Sequence, residues 1–146
     1  MYYFAYGSNM NWQQMQRRCP SAQFVCVARL PNYQFGITRH SRLRNCGTAN
    51  VYPNADAAVW GIVYEVSEAD LIVMDGFEDG YRREFLSVSP VNDGAPSITV
   101  LVYVAEIEVD VPLPNAIYKR VIVEGANHWL LPAHYLEMLE SIKTGP

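Results

Sequence analysis

The chain has 146 residues, half of them hydrophobic and 18% charged, with nine Gly, nine Pro and a net charge of −4. That length suits one domain over 1–146 with a core that needs no disulfide or metal staple, and the composition excludes disordered, collagenous and coiled-coil chains. The acidic balance speaks against nucleic acid as a partner, and no apolar run approaches the eighteen or so residues of a membrane helix.

Met1 to Ala5 is a short apolar-aromatic run that predicts a strand, ending in the polar loop Gly7-Ser8-Asn9; this opening has no signal-peptide pattern. Asn11 to Arg18 has good helix formers, with Asn9 or Asn11 placed to accept from the first free N–H groups. Gln23 to Leu30 and Tyr33 to Thr38 read as two strands of a hairpin turning at Pro31-Asn32. Residues 39–56 read as a long loop interrupted by a short strand near Thr48 to Tyr52.

Ala57 to Val66 is too continuously apolar for a one-sided strand and belongs centrally in the sheet. Ser67-Glu68-Ala69-Asp70 has the form of a capping box, and the helix it starts ends near Asp75-Gly76. Tyr81 to Val91 and Ser97 to Val104 are strands joined at Asn92-Asp93-Gly94, an Asp-Gly turn with positive φ. After Pro112 and Pro114, Tyr118 to Glu124 reads as a helix ended by Gly125. Pro132 opens a last helix through Ile142, with Leu136, Leu139 and Ile142 on one face. Strands outnumber helices and their connections are hairpin-length, so the fold class is α+β: a curled, mainly antiparallel sheet or small barrel with flanking helices.

Two segments carry candidate chemistry. In Tyr6-Gly7-Ser8-Asn9-Met10, a Gly-containing loop before a helix offers successive N–H groups to a carboxylate or oxyanion, although the same residues also make an ordinary Asn-capped turn. In Asp75-Gly76-Phe77-Glu78-Asp79-Gly80-Tyr81, a carboxylate beside an apolar segment has a raised pKa if desolvated, and otherwise the segment is a solvated acidic turn.

Both segments resemble the γ-glutamylcyclotransferase family. Tyr6 to Met10 is similar to its Tyr-Gly-Ser-Asn loop, Val59-Trp60-Gly61 to its Val-Trp-Gly strand, and Asp75 to Tyr81 to its Asp-x-x-Glu segment with a downstream Tyr. Pro114-Asn115-Ala116-Ile117-Tyr118-Lys119 resembles its Pro-x-x-x-Tyr-Lys element, and Gly125-Ala126 with Leu131 to Tyr135 resembles its closing pieces. The resemblance implies conversion of a γ-glutamyl amino acid or amine into 5-oxoproline and free amine, without cofactor or metal; the unpaired cysteines and the lack of a signal-peptide pattern place the protein in the cytoplasm, as a monomer or homodimer. It implies Glu78 as general acid/base and Tyr6, Gly7, Ser8, Asn9, Tyr81 and Tyr118 as substrate-binding residues. Two positions depart from the family pattern: the interval from Glu78 to Tyr81 is short, and Asp79 places a like charge next to Glu78.

Other readings stay open at this stage. Asp75, Glu78 and Asp79 as a cation site lack further ligands at a recognisable spacing, and His40, His128 and His134 match no zinc pattern and read as loop or surface residues. Cys19, Cys26 and Cys46, odd in number and without a C-x-x-C pair, read as small buried thiols of a reducing compartment, with a Cys-His amidase as the catalytic alternative. The basic run Arg39-His40-Ser41-Arg42-Leu43-Arg44, with Arg17-Arg18, reads as a solvated face or as a phosphate-binding patch. A non-catalytic binding protein that keeps the same pocket is the remaining alternative.

Overall fold

The strands Tyr2–Ala5 (β1), Gln23–Ser41 (β2), Cys46–Glu65 (β3), Tyr81–Pro90 (β4) and Ile98–Ala105 (β5) close into a barrel in the order β1-β3-β2-β4-β5. The structure is a computed structural model, and it describes residues 1–92 and 94–145. Pairing is antiparallel except where β1 meets β5, a parallel contact registered at Tyr3 and Leu101 that closes the barrel. The expected α+β architecture, a small and mainly antiparallel barrel with flanking helices, is the one observed.

The continuously apolar stretch of β3 lies between β1 and β2, with Val59, Ile62, Val63 and Tyr64 buried. A strand flanked on both sides and covered on both faces must be apolar at successive positions, which is why its pattern does not alternate. Helices Trp12–Arg18 (α1), Glu68–Phe77 (α2), Ala116–His128 (α3) and Ala133–Glu140 (α4) complete the fold. The Ser67 hydroxyl accepts from the Asp70 N–H while the Asp70 carboxylate accepts from the Ser67 N–H, so the capping box forms as read. Among the described residues, no helix is long and apolar enough to cross a membrane.

Several expectations are corrected. Pro31-Asn32 is a bulge inside one continuous strand: β2 runs on, with Asn32 at φ 65° and the register to β3 shifting between Pro31 and Tyr33. Proline removes one ladder donor and Asn tolerates the left-handed region, so the pair kinks a strand as readily as it turns one. Residues 39–56 are not a long loop. They hold the end of β2, a tight turn whose Asn45 has φ 53°, and the first half of β3, which pairs with β2 from Cys46 onward.

The third helix starts at Ala116, capped by the Asn115 side chain, and the fourth starts after Pro132, which is its cap rather than its first residue. His40 lies on β2, His128 on α3 and His134 on α4, all exposed but none in a loop. Of the Asn92-Asp93-Gly94 turn, Asp93 lies outside the described residues; Gly94 has φ 74°.

Gly125 does not end its helix. It lies inside α3, where a side chain would overlap the backbone of Met10 and Asn11. The glycine is there to let the helix backbone lie against the turn that follows β1. A helix-interior Gly→Ala change ordinarily gains about 1 kcal/mol, whereas forcing a methyl into close-packed backbone costs about 1–3 kcal/mol. Gly125→Ala is therefore expected to lower stability, measured as a reduced urea midpoint with an unchanged slope; a raised midpoint would show that the contact yields.

Candidate active site

The loop after β1, the end of α2, the start of β4, one turn of α3 and Ala49 of β3 enclose one cavity of about 50 Å3 that is partly open to solvent. Tyr6, Gly7, Ser8, Asn9, Glu78, Tyr81 and Tyr118 all line it. The short interval from Glu78 to Tyr81 does bring Tyr81 to the cavity. No cysteine lines it, and burial holds the Cys19 thiol up at about 11, far from a reactive thiolate.

The loop is built around Asn9. After Ala5 the chain makes a single 3-10 turn over Ser8–Met10, and Asn11 then caps α1 by accepting from the Gln14 N–H at 3.1 Å. Asn9 is 3% exposed and its amide is fully engaged. Its Oδ1 accepts from Gln14 Nε2 at 2.9 Å and Arg18 Nη1 at 3.2 Å; its Nδ2 donates to Tyr3 Oη at 3.1 Å and lies 3.5 Å from Met74 Sδ. The backbone oxygen of Asn9 accepts from Tyr64 Oη at 2.8 Å. A buried polar group with every partner satisfied fixes one conformation. The side chain of Asn9 thus shapes the loop, while the N–H groups of Gly7, Ser8 and Asn9 donate to no protein acceptor among the described residues.

Glu78 caps the C-terminus of α2, where its own N–H bonds Met74 and Asp75 carbonyls. The next turn is closed by Gly80 at φ 85°, against which the Arg39 guanidinium packs too closely for any side chain. The Glu78 side chain is half-buried, and among the described residues its carboxylate has no hydrogen-bond partner. Loss of water pushes its pKa up from 4.5 to about 7; the charges of Arg18 and Arg44 pull against that rise, and Asp75 adds to it. The like charge that Glu78 feels is therefore Asp75, not Asp79 as the sequence suggested. Asp75 itself is held low by Arg83, 2.7 Å away, and accepts from Tyr103 Oη at 2.7 Å.

Tyrosine rings form much of the wall, and burial raises their pKa values, so they stay neutral. They divide by what their hydroxyls do. Tyr6 donates to the Tyr103 carbonyl at 2.6 Å and Tyr81 to the Ala49 carbonyl at 2.6 Å, so those protons are spent on the scaffold. Tyr118 accepts from the Ala49 N–H at 2.9 Å, and Tyr3 accepts from Asn9. Both keep a proton with no protein acceptor among the described residues.

Tyr3 and Tyr103 were not singled out from sequence; two arginines of the basic segments were, and both lie at the edge of the site. Arg18 lies with its guanidinium 4.1 Å from the Phe77 ring centre, and Arg44 lies 5.0 Å from that of Tyr118 while donating to Gln14 Oε1 at 2.7 Å. Both are half-buried, so the reading of residues 39–44 and 17–18 as a solvated face is corrected at these two positions. Among the described residues, no cluster of three His, Cys, Asp or Glu side chains suits a metal ion.

A family model described as gamma-glutamyl cyclotransferase, AIG2-like, matches residues 3–124. The gamma-glutamylcyclotransferase of Homo sapiens is 31% identical over 97% of this chain and 78% of its own length, and that of Bos taurus is 32% identical over the same shares. A solved structure of a gamma-glutamyl cyclotransferase, 29% identical, superposes with a TM-score of 0.89 over 99% of this chain and 89% of that one.

A buried carboxyl raised to about 7 binds its proton more tightly in the folded protein than in the unfolded chain, so ionisation at Glu78 lowers stability as pH climbs from 4.5 to 7. At 1.36 kcal/mol per pH unit the full effect is up to about 3 kcal/mol. Glu78→Gln is expected to be the more stable protein at pH 8 by about 2–3 kcal/mol, with the difference vanishing towards pH 4.5. Denaturant titrations at both pH values check this; equal stability at pH 8 would show that the carboxylate is well solvated.

Proposed function

The chain belongs to the gamma-glutamyl cyclotransferase, AIG2-like family, and from that membership we propose that its cavity converts a γ-glutamyl amino acid or γ-glutamyl amine into 5-oxoproline and the free amine. The observation that carries the assignment of roles is Glu78: a carboxylate without a protein partner, raised to about 7, facing a wall of neutral donors.

In this reaction the substrate's own α-amine attacks its γ-carbonyl carbon. A C–N bond forms and the γ-amide C–N bond breaks; starting from the ammonium, the attacking nitrogen gives up two protons and the departing one takes up two to end as an ammonium, so no co-substrate is consumed. The cavity's first contribution is to hold a linear chain in the curled geometry of a five-membered ring, where orientation contributes several kcal/mol. Its second is proton transfer. A free α-ammonium has a pKa of about 8, so handing its proton to an ordinary Glu near 4.3 is uphill by about 5 kcal/mol. With Glu78 at about 7 the gap narrows to about 1.4 kcal/mol, and the same carboxylic acid is then acidic enough to return the proton to the leaving nitrogen.

The unspent donors supply the rest of the reading. The Gly7, Ser8 and Asn9 N–H groups and the Tyr118 hydroxyl hold the γ-glutamyl head and the oxyanion that develops on its carbonyl. Tyr6 and Tyr81, their protons committed to carbonyls, shape the pocket. The free thiols Cys19, Cys26 and Cys46 suit a reducing, cytoplasmic setting.

Incubation with γ-glutamyl amino acids, γ-glutamyl amines and glutathione should yield 5-oxoproline by mass spectrometry. Below about pH 7, kcat/KM should fall at least about tenfold per pH unit as Glu78 is protonated. Glu78→Gln should cost at least about 10²-fold in rate. No product from any substrate would overturn the activity; product surviving Glu78→Gln would overturn the role of Glu78.

A further inference from the structure

Among the described residues three of the nine arginines are ion-paired, Arg39 with Glu108, Arg82 with Glu84 and Glu106, and Arg83 with Asp75 and Glu68; of the other six, Arg17, Arg29, Arg42 and Arg120 are exposed. Arg18 and Arg44 are not. Among the described residues neither has a carboxylate oxygen within 4.0 Å, in a chain where acids outnumber basic residues 15 to 11. Each is half-buried and each is held by neutral amides, Arg18 by Asn9 and Arg44 by Gln14. Gln14 in turn donates to Ser8 Oγ at 2.8 Å and to Asn9 Oδ1, so one hydrogen-bonded chain ties both guanidiniums to the loop of the site. Each is further fixed over an aromatic ring, Phe77 next to Glu78 for Arg18 and Tyr118 for Arg44. Both act on Glu78 only from beyond contact distance, and holding two partly desolvated cations with no carboxylate against them carries an energetic cost that a ligand anion would offset.

The cavity lining contains no cation; both guanidiniums stand just outside it, on the side of the loop and Tyr118. With the γ-glutamyl head placed in the lining, as the cyclisation reading has it, the group that projects past it is the leaving amine. We propose that Arg18 and Arg44 form a cationic rim that selects leaving amines bearing a carboxylate over neutral or cationic ones. The proposal rests on the cyclisation reading above and adds to it two specificity-determining residues outside the loop and the acid/base. The rim acts on binding and orientation of the departing half and exchanges no proton with it.

Three substrates sharing one head and differing in leaving-group charge test it: γ-glutamyl-alanine, γ-glutamyl-alaninamide and the γ-glutamyl amide of ethylenediamine. The unaltered enzyme should show kcat/KM at least about tenfold higher for the alanine substrate than for the alaninamide, lowest for the cationic amide, with the ratio shrinking as salt rises from 20 to 500 mM, roughly the range over which screening shortens from about 20 Å to below 5 Å. Arg18→Gln and Arg44→Gln should each lower that ratio, and Arg44→Glu should move preference towards the ethylenediamine amide. A ratio near one in the unaltered enzyme overturns the proposal while leaving cyclisation intact, as does a loss that falls equally on all three substrates, which would assign the guanidiniums to the head group or to loop structure. If Arg44→Glu does not fold, the salt dependence of the ratio in the unaltered enzyme and in Arg44→Lys, which keeps the charge and should keep most of the ratio, decides the matter. Absence of 5-oxoproline from all three overturns the cyclisation reading and the rim with it.

Discussion

The site depends on the amide of Asn9. Four groups from three elements converge on it: Tyr3 from β1, Gln14 and Arg18 from α1, and Met74 from α2. An amide presents two acceptor directions and two donors, and here each is taken, so the loop has one arrangement that satisfies the buried polar atoms and no second one of equal energy. Because Asn9 uses its side chain to hold the fold, its backbone is what remains for chemistry. The same division recurs across the cavity, where Tyr81 and Tyr118 grip the carbonyl and the N–H of Ala49 from two sides and fix β3 against β4 and α3.

Electrostatics in the site is a balance among few charges. Desolvation alone would drive Glu78 further towards its neutral form; Arg18 and Arg44 restrain it and Asp75 opposes them. Asp75 is itself neutralised by Arg83, which limits how strongly it acts at Glu78. The result is a carboxyl close to neutrality in its proton affinity, a state reached by placement of whole elements: α2 ends where Glu78 leaves the helix, and α1 brings Arg18 to the same edge. Stability is sacrificed locally for this, as is common where a charged group must be held away from water.

Much of the architecture was legible in the sequence because it rests on local rules. The capping box at Ser67, the Asn cap before α1 and the unbroken apolar run of β3 each express a short-range or periodic constraint. The errors fall where one residue type serves two geometries. Pro31-Asn32 suits a turn or a bulge, and only pairing with β3 across residues 46–59 decides between them. Gly125 suits a helix end or a close contact, and the contact is with residues 10 and 11, more than a hundred positions away. The polar first half of β3 looked like loop because its side chains are small and hydrogen-bonded, as with Asn50, which is fully buried yet satisfied by Thr38 and Ala105. For the site, the loop and Glu78 were legible through motif resemblance. Tyr3 and Tyr103 were not, since nothing in their local sequence distinguishes a residue aimed at a cavity from one in a core; Arg18 and Arg44 stood out only as members of basic segments, with nothing local to separate them from Arg17 and Arg42 on the solvated face.

The short strand β1 pairs with residues 62–65 of β3 and, at the seam, with Leu101 of β5. Its partners lie some 60 and nearly 100 positions downstream, so β1 closes the largest loops in the barrel and docks only after its partners exist. The loop that lines the cavity is the direct continuation of that strand. A ribosome-bound or partly folded chain can therefore hold a folded α2 and β4 yet have no assembled cavity. Turnover becomes a property of the completed barrel alone, and a kinetic assay during refolding would count finished molecules without seeing any intermediate.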